Sequence, residues 1–139
     1  MGGPDAGFQF YLGPANSGAQ PHSHSHAWNM LAWGRKVWHL WPPADSFYST
    51  TPVRPYVDLV VNSKQARSLE GVAEPMECIQ EASDFVYVPN GWGHSAVNLE
   101  ASVGIAIGFR DDFNLPPTMN QICLGHAEYG RVDHATLVK

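Results

Sequence analysis

Charge is what this chain has least of. Only 15% of its 139 residues are charged, and 13 acidic residues outnumber 8 basic ones, for a net charge of −5. The one basic pair is Arg35-Lys36. Nucleic acid and anionic membrane both demand clustered Lys and Arg, so neither is expected as the main partner. Long apolar runs are missing too, and nothing approaches the roughly 20 residues that cross a bilayer. Cysteine is limited to Cys78 and Cys123, without metal-type spacing, and a buried, reduced pair is expected rather than a disulfide. The start, Met1-Gly2-Gly3-Pro4, has neither the basic nor the apolar region of a secretory leader. A soluble cytoplasmic or nuclear protein is therefore expected, with a secretory lumen left open should upstream sequence be missing. There is no internal repeat and no low-complexity tract. What remains is an ordinary globular composition, 44% hydrophobic and 12% aromatic, of a length that suits one domain with a real core. Oligomeric state is not legible.

Short strand signals punctuated by Gly and Pro run through the chain. Phe8 to Leu12 is an aromatic-rich strand candidate, followed by the turn cluster Gly13-Pro14-Ala15-Asn16-Ser17-Gly18. Ala27 to Trp33 is densely apolar, Gly34 reads as a turn or bulge, and Val37 to Trp41 is a strand stopped by Pro42-Pro43. Lys36, Trp38 and Leu40 should share one face of that strand; Val37, His39 and Trp41 should share the other. Residues 44–75 read as a long excursion with one helical turn near Ser63 to Leu69, while the periodicity of Tyr56 to Val61 selects neither helix nor strand. Further strands are expected at Glu77 to Gln80, Phe85 to Val88, Ala96 to Leu99 and Ser102 to Phe109. In the last, bulky Val103, Ile105, Ile107 and Phe109 alternate with Gly104, Ala106 and Gly108. The bulky face is expected to pack, and the smooth face to admit a bound group or a closely approaching strand. Thr118 to Ala127 is a candidate C-terminal helix. Core strands without helical periodicity indicate an all-β sandwich or barrel.

Two histidine-bearing stretches stand out from this background. Pro21-His22-Ser23-His24-Ser25-His26 spaces histidines two apart, which on an extended strand projects them from one face with Cα atoms roughly 7 Å apart. Two such imidazoles can grip one metal ion, leaving a third position to a distant residue. Pro89-Asn90-Gly91-Trp92-Gly93-His94 offers that residue on a bend opening a new strand. Imidazole suits Fe, Zn, Cu and Ni. Taken alone, H-x-H reads more readily as a solvated His-rich turn. His26 is not expected to ligate, because a fourth imidazole would crowd the open positions that a catalytic metal keeps. A three-imidazole site predicts metal affinity that falls with up to three protons per metal below pH about 6.

The second stretch, extended to Ser95-Ala96-Val97-Asn98, matches the second cupin motif, P-x-G-x-x-H-x-x-x-N, at every specified position. The glycine usual further upstream is replaced by Ser83. Ser17-Gly18, His22, Trp28-Asn29, Gly34-Arg35-Lys36-Val37-Trp38, Pro42-Pro43, Phe85 to Pro89, Gly91-Trp92, His94 and Asn98-Leu99-Glu100 then fall in the order seen in JmjC-domain proteins. Over roughly residues 8–110 the chain resembles the JmjC group of the cupin superfamily, in particular its small hydroxylase-like branch. The resemblance implies a double-stranded β-helix, a cupin or jelly-roll barrel, with a metal inside its mouth. It implies one domain over residues 1–139, with a core at about 8–110 and a C-terminal extension at 111–139. JmjC domains usually carry more N-terminal sequence than 139 residues provide, so N-terminal truncation is expected.

In active members Fe(II) is held by H-x-D/E and a distal His, with 2-oxoglutarate as co-substrate. Carried over by position, His22 is the first ligand and His94 the distal one. Lys36 matches the lysine that pairs with the far carboxylate of 2-oxoglutarate, and Asn29 a polar residue lining the co-substrate site. His24 stands at the carboxylate position, giving a three-histidine site. Ala106 stands where related hydroxylases often place a hydroxyl. Three functions follow, in descending order. The first is an Fe(II)/2-oxoglutarate oxygenase hydroxylating a protein or small-molecule substrate, with His22, His24 and His94 as catalytic metal ligands. The second is a non-catalytic JmjC-like metal-binding or protein-interaction module. The third is a three-histidine cupin dioxygenase that does not use 2-oxoglutarate.

Overall fold

A computed structural model describes residues 7–109. Eight antiparallel strands form two four-stranded sheets. They are β1 (Gly7–Gly13), β2 (Gly18–Ser23), β3 (Ala27–Trp33), β4 (Lys36–Trp41), β5 (Met76–Gln80), β6 (Phe85–Val88), β7 (Gly93–Asn98) and β8 (Ser102–Gly108). One sheet runs β1-β8-β3-β6 and the other β2-β7-β4-β5, the jelly-roll architecture of the cupin barrel. The expected C-terminal helix at 118–127, and Cys123, lie outside the described residues. Cys78 is exposed, so its expected burial is not met; it sits on β5, an edge strand whose residues face solvent except the last.

The turns follow from local chemistry. Gly34 takes φ +92° between β3 and β4, and a Cβ there would run into Ala101 and Ser102. Ser83 takes φ +76° between β5 and β6. The position where the cupin pattern has glycine thus keeps a left-handed backbone, held here by a residue that pays for it in steric strain.

The excursion after β4 is helical where the sequence was ambiguous. One turn, α1 (Val53–Tyr56), continues as a wide π turn through Val57–Val61, and α2 (Lys64–Glu70) follows. Ser63 caps α2 by accepting from the Ala66 N–H, and Gly71 at φ +68° ends it. Val53, Tyr56, Val57 and Val61 pack on Val37, Trp41 and Val97, covering the outer face of the β2-β7-β4-β5 sheet. β4 therefore splits as its alternation predicts, with Val37 and Trp41 under the helices and Trp38 between the sheets with Val88 and Ala96.

The other sheet has no such cover among the described residues. Register aligns Phe8, Ile107, Trp28 and Tyr87 in one row across its outer face, and Phe10, Ile105, Met30 and Phe85 in the next. Phe8, Phe10, Leu12 and Trp33 are each about 70% exposed. The bulky face of β8 thus does not pack into the core, because it is Gly104 and Ala106 that turn inward. Gly104 lies against the Tyr11 phenol, and Ala106 lines the interior cavity. No helix among the described residues is long and apolar enough to cross a membrane.

Candidate metal centre

The histidines meet because two strands are in register. β2 pairs with β7 so that His22 stands directly opposite His94, after an irregularity between Ala19 and His22. His24 lies just beyond the end of β2, where its carbonyl accepts from the Gly91 N–H. The two strand-spaced histidines are therefore not both on a strand, yet their rings converge. Ring centroids are 4.1 Å apart for His22–His94, 4.5 Å for His24–His94 and 5.3 Å for His22–His24. One nitrogen from each ring lies within 4.8 Å of the others.

The remaining nitrogens orient the rings. Nδ1 of His22 lies 2.6 Å from the Gln20 carbonyl, that of His24 2.6 Å from the Ser25 carbonyl, and that of His94 3.1 Å from the Trp92 carbonyl. A carbonyl only accepts, so each Nδ1 carries the proton and each Nε2 keeps its lone pair. This is the tautomer of a metal-ligating histidine whose second nitrogen is fixed by a backbone acceptor. Burial pushes His24 down to about 4 and His94 well below its ordinary value, with charge repulsion from His22 adding to both and from His24 adding at His94. Both are neutral at physiological pH, as ligands must be. Three converging lone pairs repel one another unless a cation sits between them, and this donor set fits a first-row transition metal.

His26 is turned to another task. Its Nδ1 accepts from the Tyr87 hydroxyl at 2.6 Å and the Asn90 N–H at 3.2 Å, and its ring stacks on Tyr87 and Phe109.

His22, His24 and His94 line a cavity of about 480 Å³ between the sheets, which Asn29, Lys36 and Ala106 line as well. Lys36, at the start of β4, is only 6% exposed, and burial lowers it to about 8. Its Nζ lies 3.6 Å from the centroid of the Tyr11 ring. Among the described residues no carboxylate pairs with it, and none lines the cavity. A buried cation without a counter-charge is costly, so this end of the cavity suits an anion. Asn29 is fixed by Tyr11, whose hydroxyl donates to Asn29 Oδ1 at 2.7 Å. Burial holds the Tyr11 phenol at about 12, so it stays a donor.

Tyr11, Trp38 and Asn98 also line the cavity, although the sequence analysis assigned none of them a role at the site. Tyr11 had a signal: within the strand Phe8 to Leu12, Gln9 and Tyr11 are the polar-bearing alternate positions. Asn98 faces Lys36 across the β4–β7 pair, and its Nδ2 donates to Ser17 Oγ at 3.0 Å.

Residues 5–114 match the JmjC domain family. This chain is a JmjC protein. Similar proteins include the 2-oxoglutarate and iron-dependent oxygenase JMJD4 of Danio rerio, 32% identical over 113 residues, covering 76% of this chain and 27% of that protein. The arginine-specific demethylase JMJ22 of Arabidopsis thaliana is 32% identical over 117 residues, 75% of this chain and 23% of that protein. JmjC domain-containing protein 8 of Mus musculus is 30% identical over 106 residues, 75% and 38% of the two chains. The chain thus spans about a quarter to two fifths of the length of these relatives.

Proposed function

We propose that this chain forms the catalytic core of an Fe(II)- and 2-oxoglutarate-dependent oxygenase acting on a protein or small-molecule substrate. The observation that carries the reading is one cavity holding both a three-imidazole cluster and a buried lysine that has no carboxylate partner among the described residues. The relatives named as 2-oxoglutarate and iron-dependent oxygenases support it. In this reading residues 1–139 are one domain, with the core at about 8–110.

His22, His24 and His94 would hold the iron through Nε2, each ring fixed by its Nδ1–H bond to a backbone carbonyl. Lys36 would bind the far carboxylate of 2-oxoglutarate, and Asn29, held by Tyr11, would line the co-substrate's path. When bound, iron with 2-oxoglutarate and O2 supplies oxidative decarboxylation of the co-substrate coupled to oxygenation of the substrate. Trp38, buried with Val88 and Ala96, walls the cavity against water beside His94. Ala106 adds no hydrogen bond at the co-substrate, so Lys36 bears more of the anchoring.

The second reading rests on His24. A neutral third ligand leaves the centre one unit more positive than two histidines and a carboxylate would, which changes its redox chemistry. That favours a three-histidine dioxygenase independent of 2-oxoglutarate, or a metal-binding interaction module. Succinate release from 2-oxoglutarate by the Fe(II)-loaded protein, lost in Lys36→Ala, decides for the first reading. Metal binding without succinate release or 2-oxoglutarate affinity decides against it.

A further inference from the structure

Gln80 closes β5 and is its one buried residue, with no exposed surface at all. A buried amide is tolerated only when its donors and acceptor are satisfied. Gln80 achieves this by spanning the two sheets. Its Nε2 donates to the Asn29 carbonyl on β3 at 3.0 Å and to the Asp84 carbonyl at 3.1 Å. Its Oε1 accepts from Trp38 Nε1 on β4 at 2.9 Å. Asn29 and Trp38 line the histidine-bearing cavity from opposite sheets, and Lys36 is the register partner of Gln80 itself. Asn29 in turn accepts from Tyr11, whose ring lies under the Lys36 ammonium.

We propose that Gln80 is a positioning residue that sets the separation of Asn29 and Lys36 across the co-substrate end of the cavity. The inference rests on the oxygenase reading for the identity of the co-substrate. Stability is one part of its role: removing Gln80 alone takes a partner from the Trp38 N–H and from the Asn29 and Asp84 carbonyls, and a buried group left unsatisfied is destabilising. What the three hydrogen bonds add is direction. Each has a narrow angular range and together they fix one spacing of β3 against β4, whereas apolar contacts at this point would tolerate many. Gln80 does not line the cavity, so it acts through Asn29, Trp38 and the strand that carries Lys36.

The test is Gln80→Met, which keeps length and volume and removes all three bonds. Four quantities are read on the full chain: melting temperature, Mn(II) affinity, 2-oxoglutarate affinity of the Mn(II)-loaded protein, and the titration of Lys36 by NMR. The expected result is unchanged Mn(II) affinity and 2-oxoglutarate binding weakened roughly tenfold, the low end for one charge-assisted hydrogen bond. The Lys36 titration should also rise from about 8 toward the free-lysine value, as a loosened wall admits water. Trp38→Phe, which removes only the Oε1 bond, should give a smaller shift in the same direction. Unchanged co-substrate affinity and an unmoved Lys36 in Gln80→Met overturn the proposal. So does a parallel loss of Mn(II) and 2-oxoglutarate affinity with a fall in melting temperature, the mark of general unfolding. If the parent binds Mn(II) but no 2-oxoglutarate while Lys36 still shifts in Gln80→Met, the oxygenase reading fails and the positioning role stands.

Discussion

Acidification of the metal-free protein should unfold it through the very imidazoles that form the site. His24 titrates at 6.5 when solvated and at about 4 in the fold, because burial disfavours its charged form. A depressed histidine costs nothing at high pH, where both states are neutral. As pH falls below 6.5 the unfolded chain takes up the proton first, and stability drops by about 1.4 kcal/mol per pH unit until pH nears 4. At pH 4.5 the loss relative to pH 8 is about 2.6 kcal/mol from His24 alone. That is a large share of the 5–15 kcal/mol typical of a domain. His94 and His39, both lowered by burial, act in the same direction and steepen the fall. Urea unfolding followed by tryptophan fluorescence, in chelator from pH 8 to 4.5, measures it for the parent and for His24→Gln. The variant should lose less stability over that range than the parent, by about 2.6 kcal/mol. Equal pH slopes in the two proteins would refute the reasoning, since they would mean that the His24 ring is solvated in the folded state.

Metal analysis should find close to one transition-metal ion per chain, lost in His22→Ala and in His94→Ala and kept in His26→Ala; equal loss in all three would remove His26 from its stacked position beside Tyr87. The affinity of 2-oxoglutarate should fall as pH rises through about 8, where Lys36 loses its proton, and titration of Lys36→Ala should give a weaker, pH-independent value. Metal affinity should fall less steeply between pH 7 and 5 than three competing protons would make it, because His24 and His94 are already neutral there. Competition titration checks it, and a fall of three protons per metal would show that the rings are not buried as found. Ser83→Gly relieves a left-handed backbone at φ +76° and should raise the unfolding free energy by about 1 kcal/mol in the same urea assay.

What the sequence determined was local or repeated in a known order. The alternation in Phe8 to Leu12, Val37 to Trp41 and Ser102 to Phe109, and the Gly and Pro between them, name most strands, because side-chain period and turn chemistry act over a few residues. The motif around His94 and the ordered positions from Ser17 to Glu100 name the JmjC family for the same reason: each match is a short run in line. Tertiary structure decided what depends on which strand lies beside which. His22 faces His94 only because β2 pairs with β7 in that register, across 72 residues of chain. Burial then lowers His24 and His94, which turns a predicted three-proton metal competition into a shallower one. Gln80 reads in sequence only as the end of a strand; the chain's crossing between sheets buries it between Asn29 and Trp38. The apolar run at 56–61 became helical because it had a sheet to cover, and helix or strand was undecidable without that surface. β8 turned its bulky side chains outward because the cavity and the Tyr11 ring needed the glycine side, a choice that strand alternation alone leaves open.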